Sequence, residues 1–199
     1  IFKLNKQIIK MKNRNSKFAM LFILALSFMS FTVLKDKKVD VSTSKVTWKG
    51  YKVGGEHEGT INLKEGSLSF NGETLEGGSF TIDMTSINTT DLSGDYKDKL
   101  DGHLKSDDFF GVEEYPTATL KITSVSGKNG KYTVRGDITI KGITESISFP
   151  MTVSENSATA SLKIDRTKHK ITYKSPSLLE TLKDKAIYDE FDINVELKF

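Results

Sequence analysis

From Val39 to Phe199 apolar and polar residues alternate in short runs, the period expected of half-buried β-strands. The clearest run is the last, where Phe191, Ile193, Val195, Leu197 and Phe199 interleave with Asp192, Asn194, Glu196 and Lys198. The same alternation carries Tyr132, Val134, Ile138 and Ile140, then Ile147, Phe149, Met151 and Val153, then Ala158, Ala160, Leu162 and Ile164. Earlier, Val46–Trp48, His57–Leu63, Ser67–Phe70 and Ser79–Met84 are short runs of β-branched and aromatic residues. Gly54-Gly55, Glu65-Gly66, Asn71-Gly72, Gly77-Gly78, Asn129-Gly130 and Lys141-Gly142 punctuate these runs and predict turns between them.

Two segments change period. Tyr96, Leu100 and Leu104 recur every four residues, one apolar stripe that predicts a short helix near 95–105. Ser177, with Glu180 three positions on and Leu178, Leu179, Leu182 and Ala186 around it, predicts a second near 177–187 opening on a capping box. About eight strands with only two helical inserts point to an all-β fold, an antiparallel barrel or sandwich.

Charge divides the chain. Residues 1–34 carry six basic side chains and no acidic one; removing them leaves 23 basic against 26 acidic, a formal net of about −3. The whole-chain +3 therefore belongs to the leader, and the folded part lacks the cation excess a nucleic-acid surface needs. The leader reads as an export signal, with a basic stretch Met11–Lys17, an apolar run Phe18–Leu26 and a small-x-small cleavage site near Ser27. Phe18–Leu34 is the competing reading, an uncleaved anchor at the short edge of a membrane span. Residues 1–10 precede a suitable start at Met11. The expectation is an exported protein, periplasmic or secreted, with a leader over 1–34 and a mature domain over 39–199 that does not insert stably in a membrane.

Cysteine is absent, which excludes disulfides, thiolate catalysis and Cys-ligated metals. The three His residues are far apart. His57 sits between Glu56 and Glu58, which a strand sends to the opposite face. His103 follows Asp101 by two positions and shares no helix face with it. His169 lies in the basic run Arg166–Lys170 and reads as part of a solvated turn. Asp91, Ser93 and Asp95 have the look of a calcium loop without its fixed Gly and terminal Glu. Neither a nucleophile elbow nor a phosphate-binding loop occurs. The aromatics, 12 Phe, 6 Tyr and 1 Trp, fit either a packed interior or a hollow one, since an eight-stranded barrel is just wide enough for side chains or one small ligand.

One segment is more specific. His103-Leu104-Lys105-Ser106-Asp107-Asp108-Phe109-Phe110, followed by Tyr115-Pro116-Thr117, resembles the YceI family, periplasmic proteins that hold a lipid-like molecule inside a β-barrel. The resemblance continues through Val41–Trp48, Gly59–Ile61, Gly66–Phe70, Phe80–Ile87, the hairpin Tyr132–Thr144 and the late Ile164-Asp165-Arg166. It departs at Gly111, where an acidic residue is common, and at Thr167–Ile171 with Tyr173 beyond, where Phe-Gly-Ile often follows the Arg.

The resemblance implies an extended lipocalin-like antiparallel barrel whose interior takes a long-chain amphiphile, of polyisoprenoid or fatty-acyl type, with no cofactor and no established reaction. Inward parity and the Phe-Phe segment nominate Trp48, Phe80, Phe109, Phe110, Leu120, Ile138, Phe149, Leu162, Phe191 and Ile193 as cavity wall. His103 and Arg166 are nominated as polar groups of the same site. A homodimer is allowed for. Two other classes stand beside this reading: an enzyme acting on such a lipid through His103, Asp107 and Arg166, and a solid-cored structural module without ligand.

Overall fold

The computed structural model describes residues 34–178 and 185–199; the leader and most of the second expected helix, 179–184, lie outside the described residues. Nine strands follow in order: β1 (Lys35–Lys38), β2 (Lys45–Lys52), β3 (Gly55–Asn71), β4 (Thr74–Thr89), β5 (Thr117–Lys128), β6 (Lys131–Ile140), β7 (Ile143–Ser154), β8 (Ser157–Asp165) and β9 (Ile187–Lys198). One helix, α1 (Gly94–Lys105), lies between β4 and β5, where the four-residue stripe predicts it. All ladders are antiparallel, and β2 to β9 close into an eight-stranded barrel. The long strand β3 makes the closure, since one edge pairs with β2 and then β1 while the other pairs with β4. Closure gives each of β2 to β9 a neighbour on both sides, whereas β1 pairs on one side only and the β7–β8 ladder is limited to Met151–Ser154 against Ser157–Ala160.

Tight turns set the register. Asn129-Gly130 and Lys141-Gly142 have φ values of 55°, 75°, 51° and 72°, the doubly left-handed conformation of a two-residue hairpin loop whose twist matches the flanking strands. Glu65-Gly66 and Gly77-Gly78 are not turns, contrary to the expectation from sequence; both lie inside strands. Gly66 is paired with Phe80, and a Cβ there would stand 2.6 Å from the Phe80 ring. A Cβ at Gly78 would stand 2.6 Å from the Ser67 carbonyl oxygen. These glycines permit close approach across the β3–β4 ladder, which also carries register shifts near Asn62, Glu65 and Phe70 that bend the long strands round the barrel.

Of the second expected helix, 177–187, only the two ends fall among the described residues. Ser177 and Leu178 lie in a turn, Lys185 and Ala186 are not helical, and β9 already begins at Ile187. The Ser177 hydroxyl is shared with Ser175 at 2.9 Å.

The two ends of the barrel differ. The hairpins β3–β4, β5–β6 and β7–β8 turn at one end, which is filled by Leu68, Phe70, Leu75, Tyr132, Val134, Ala158 and Leu197. Leu68 and Val134 are fully buried, each contributing about 1.5–3 kcal/mol relative to exposure. The opposite end receives α1, the β2–β3 and β6–β7 turns, and the β8–β9 connection.

Gly59 gives a direct check on this geometry. Its Cβ would meet the Asn88 carbonyl oxygen at 2.1 Å and the Trp48 ring at 2.5 Å, whereas a Cβ at Gly50 would meet nothing within 4 Å. Gly59→Ala is expected to lower stability by about 1–3 kcal/mol through overpacking. Gly50→Ala should change it by less than about 0.5 kcal/mol. Urea titration followed by the fluorescence of Trp48, the single tryptophan, measures both.

Candidate functional site

Inward-facing residues line up across the barrel wall because the ladders hold them in register. One row runs Leu162–Ile193–Trp48–Gly59 through β8, β9, β2 and β3. The row above it runs Ile164–Phe191–Gly50–His57, and the row below runs Ala160–Val195–Val46–Ile61. On the facing wall Phe80, Leu120 and Ile138 are paired in sequence through β4, β5 and β6. Glycine and alanine interrupt the large side chains, and the interior stays hollow. A cavity of about 570 Å³ results, within the usual range for small-molecule sites.

All twelve residues nominated from sequence line this cavity: Trp48, Phe80, His103, Phe109, Phe110, Leu120, Ile138, Phe149, Leu162, Arg166, Phe191 and Ile193. Tyr173, one of the departures from the family pattern, lines it too, and sequence reasoning missed His57, Tyr51, Lys52 and Lys174, which line it as well. Inward parity on β2 and β3 carried the signal for His57; Lys174 and Tyr173 come from an irregular connection, where no periodicity points.

The Phe-Phe segment closes back onto the end of α1. The amides of Phe110 and Gly111 donate to Leu104 O and Ser106 O at 3.1 and 2.8 Å. Gly111 has φ of 55°, so the family departure at this position supplies the left-handed residue the turn needs. Lys141 Nζ donates to Asp107 O and Phe109 O at 2.6 and 3.0 Å, tying the segment to the β6–β7 turn. An aromatic cluster follows. The His103 ring is edge-on to Phe109 and Tyr173, at 4.9 and 4.6 Å between centroids, and Phe110 meets Phe191 at 6.2 Å. His103 is thus a polar ring at the cavity end. Asp107 is exposed and outside the lining, so the His103, Asp107 and Arg166 trio is not assembled around the cavity.

Arg166 is 3% exposed and its donors are largely committed. Nε, Nη1 and Nη2 donate to Tyr188 O, Ile171 O and Ile187 O at 3.1, 2.7 and 2.7 Å, and Nη2 is 3.6 Å from Asp189. Its guanidinium also stands 5.6 Å from the Phe109 ring. Asp165 prepares the turn, its carboxylate accepting from the Thr167 amide at 2.9 Å. His169 is a correction. It is 1% exposed, not solvated, with Nδ1 at 3.1 Å from Ile143 O, because the turn Arg166–His169 folds inward against β7.

Burial pushes the Asp189 carboxyl up, but the hydroxyls of Ser175 and Ser177 and the charge of Arg166 outweigh it and hold the group below the usual carboxylate range. Burial alone lowers the Arg166 guanidinium, partly offset by Asp189 and Asp165. At the β2–β3 end His57 Nδ1 lies 2.8 Å from Asp91 Oδ2, and Glu58 N donates to the same carboxylate. The Asp91 and Asp95 stretch is accordingly a turn leading into α1, and no cluster of metal-ligating side chains occurs among the described residues.

The YceI-like domain model matches residues 38–199, and the chain belongs to that family. A UPF0312 protein of Shewanella denitrificans is 31% identical over 91 residues, 45% of this chain and 46% of that protein. Protein YceI of Escherichia coli O157:H7 is 29% identical over 90 residues, 45% of each. The matches span about half the length of these curated relatives. Among solved structures, Burkholderia cenocepacia BcnA superposes with a TM-score of 0.65 at 25% identity, over 80% of this chain and 98% of that one. A polyisoprenoid binding domain from Saccharophagus degradans shares the fold at TM-score 0.55 and 16% identity, over 83% and 97%.

Two variants separate the structural role of Arg166 from contact with a ligand. Arg166→Met is expected to cost about 3–5 kcal/mol, since it strands a buried carboxylate and three carbonyls. Asp189→Asn should lower stability at neutral pH and leave it unchanged in acid. A carboxyl whose folded pKa lies below its unfolded value of 3.8 stabilises above that value and loses the contribution as pH falls through its folded pKa. The difference in urea midpoint between wild type and Asp189→Asn should therefore be constant above about pH 5 and shrink below about pH 4.

Proposed function

We propose that this protein binds one long-chain amphiphile, isoprenoid or fatty-acyl, in its barrel cavity and carries it outside the cytoplasm after export. The observation that supports this most is a hollow interior of about 570 Å³ walled by Trp48, Phe80, Leu120, Ile138, Phe149, Leu162 and Ile193. At about 30 Å³ per methylene-sized group, the share of one water in the liquid, this space takes roughly 20 such groups. At about 0.3 kcal/mol per heavy atom the net is roughly −6 kcal/mol, binding in the tens of micromolar. A longer isoprenoid reaches past the mouth and gains from the aromatic cluster. Such a chain needs no directional partner, because each buried CH₂ contributes about 0.8 kcal/mol gross.

Membership of the YceI-like family and the shared fold of the polyisoprenoid binding domain from Saccharophagus degradans support the ligand class. The basic-then-apolar leader supports export. No helix among the described residues is long and apolar enough to cross a membrane.

Native mass spectrometry of the protein as purified should find a co-purified apolar molecule, and isoprenoid or fatty-acyl probes should change Trp48 fluorescence. Phe110, half-buried at the cavity, decides between hollow and solid. Phe110→Ala should weaken probe binding several-fold, with a smaller loss of ligand-free stability than the about 3–5 kcal/mol of a packed phenylalanine. A protein that is repeatedly empty and rejects both probe types overturns the binding reading. So does a full loss of stability in Phe110→Ala without any effect on binding.

A further inference from the structure

Charge around the cavity is one-sided. Among the described residues its lining contains Lys52, Lys174, Lys185, Arg166, His57 and His103, and no Asp or Glu. The whole chain has 29 basic and 26 acidic side chains, so this selection is not a reflection of composition. Nearby carboxylates are already engaged by other groups: Asp91 by His57, Asp189 by Arg166, and Glu56 and Glu58 by Lys49.

Three of the cations are gathered at one place by the backbone. Lys52 is paired with Ile187 across β2 and β9, Ile187 N donates to Lys174 O at 3.0 Å, and Val53 N donates to Ala186 O at 2.9 Å. Lys52, Lys174 and Lys185 thus come from three separate segments to a single part of the cavity rim. None takes part in an ion pair with the described residues, in contrast to Lys49, Lys97 and Lys163. Lys174 holds a left-handed backbone, φ 47°, and places Nζ 5.1 Å from the Tyr173 ring centre. Exposed Val53 and Tyr188 stand beside them.

We propose that the cavity selects an amphiphile with an anionic head, a carboxylate or a phosphate, held at the mouth by Lys52, Lys174 and Lys185; this rests on the binding reading above. The apolar chain fills the barrel and the head stays at the wet rim. Ammonium groups on long stems are compact charges with three donors each, and they can follow an anion over a range of depths. An interaction of exposed charges weakens as salt screens it.

Probe pairs that share a chain and differ in the head test this, read by the fluorescence of Trp48 on the cavity wall. Palmitate should bind about tenfold or more tightly than palmityl alcohol, and farnesyl phosphate likewise over farnesol, a difference of at least about 1.4 kcal/mol. The preference should shrink in high salt. In the triple variant Lys52→Gln, Lys174→Gln, Lys185→Gln the acid-to-alcohol ratio should fall to near one while alcohol affinity and urea midpoint stay as in wild type. The triple Lys→Arg variant should keep the preference. Equal binding of acid and alcohol by wild type, or a ratio untouched by the Gln substitutions, overturns the head assignment alone. Displacement of palmitate by inorganic phosphate at equal concentration overturns it in favour of a free-anion site. Rejection of all four amphiphiles overturns both this inference and the lipid-binding reading it rests on.

Discussion

Closure of the sheet through β3 is the constraint from which the rest of the structure follows. A strand of 17 residues presents two edges, and both take part in ladders: one with β2 over Gly55–Ile61 and then β1 over Ser67–Phe70, the other with β4 over Gly59–Asn71. Such a length has to curve to remain part of a barrel of eight strands. The register shifts in the β3–β4 ladder and the glycines at 59, 66 and 78 allow that curvature, because they let backbone and aromatic rings approach where a Cβ would collide. Once the ring is closed, the width of the interior is fixed by strand number, and side-chain size alone decides whether it is filled.

The sequence fills it unequally. Leu, Phe, Tyr and Val from the strand ends make the hairpin end solid, while the small residues Gly50, Ala118 and Ala160 leave space farther along. At the end that carries α1 and the β8–β9 connection, the irregular segments lie outside the ladders and need other means of order. Arg166 provides one of them. A single guanidinium satisfies carbonyls of residues 171, 187 and 188 and so fixes the connection against β9. Lys141 does the same for the Phe-Phe segment. Both are cations used as polar ties in places where backbone acceptors would otherwise be buried unpaired.

Much of this was legible in the chain because a strand of period two declares which side chains share a face. That is why Trp48, Phe80, Leu120, Ile138, Phe149, Leu162, Phe191 and Ile193 could be assigned together to the inside of the barrel. Glycine was misread at Gly66 and Gly77-Gly78, since the residue serves turns and close contacts equally and local sequence does not distinguish them. His169 was misread for a related reason: a basic run looks solvated until tertiary packing folds it against β7. The helix expected at 177–187 lies mostly outside the described residues, and its last position, Ile187, already belongs to β9. Lys141, Lys174 and Tyr173 act through irregular segments, and no periodic signal reaches those.

The two departures from the family pattern fall at the same end of the molecule. Gly111 shapes the turn that delivers Phe109 and Phe110, and Tyr173 completes the aromatic cluster with His103. The barrel wall, by contrast, is mainly apolar, and on the proposed binding role it would favour any chain of suitable length about equally. Burial of methylenes is non-directional, so it supplies affinity without telling one head from another. Discrimination needs groups whose pairing is lost with the wrong partner. In this fold those groups occur where the strands end and the connections begin, which is also where the sequence is least periodic. On the proposed reading, affinity and selectivity are therefore separated along the barrel axis, the first in the regular strands and the second in the irregular segments above them.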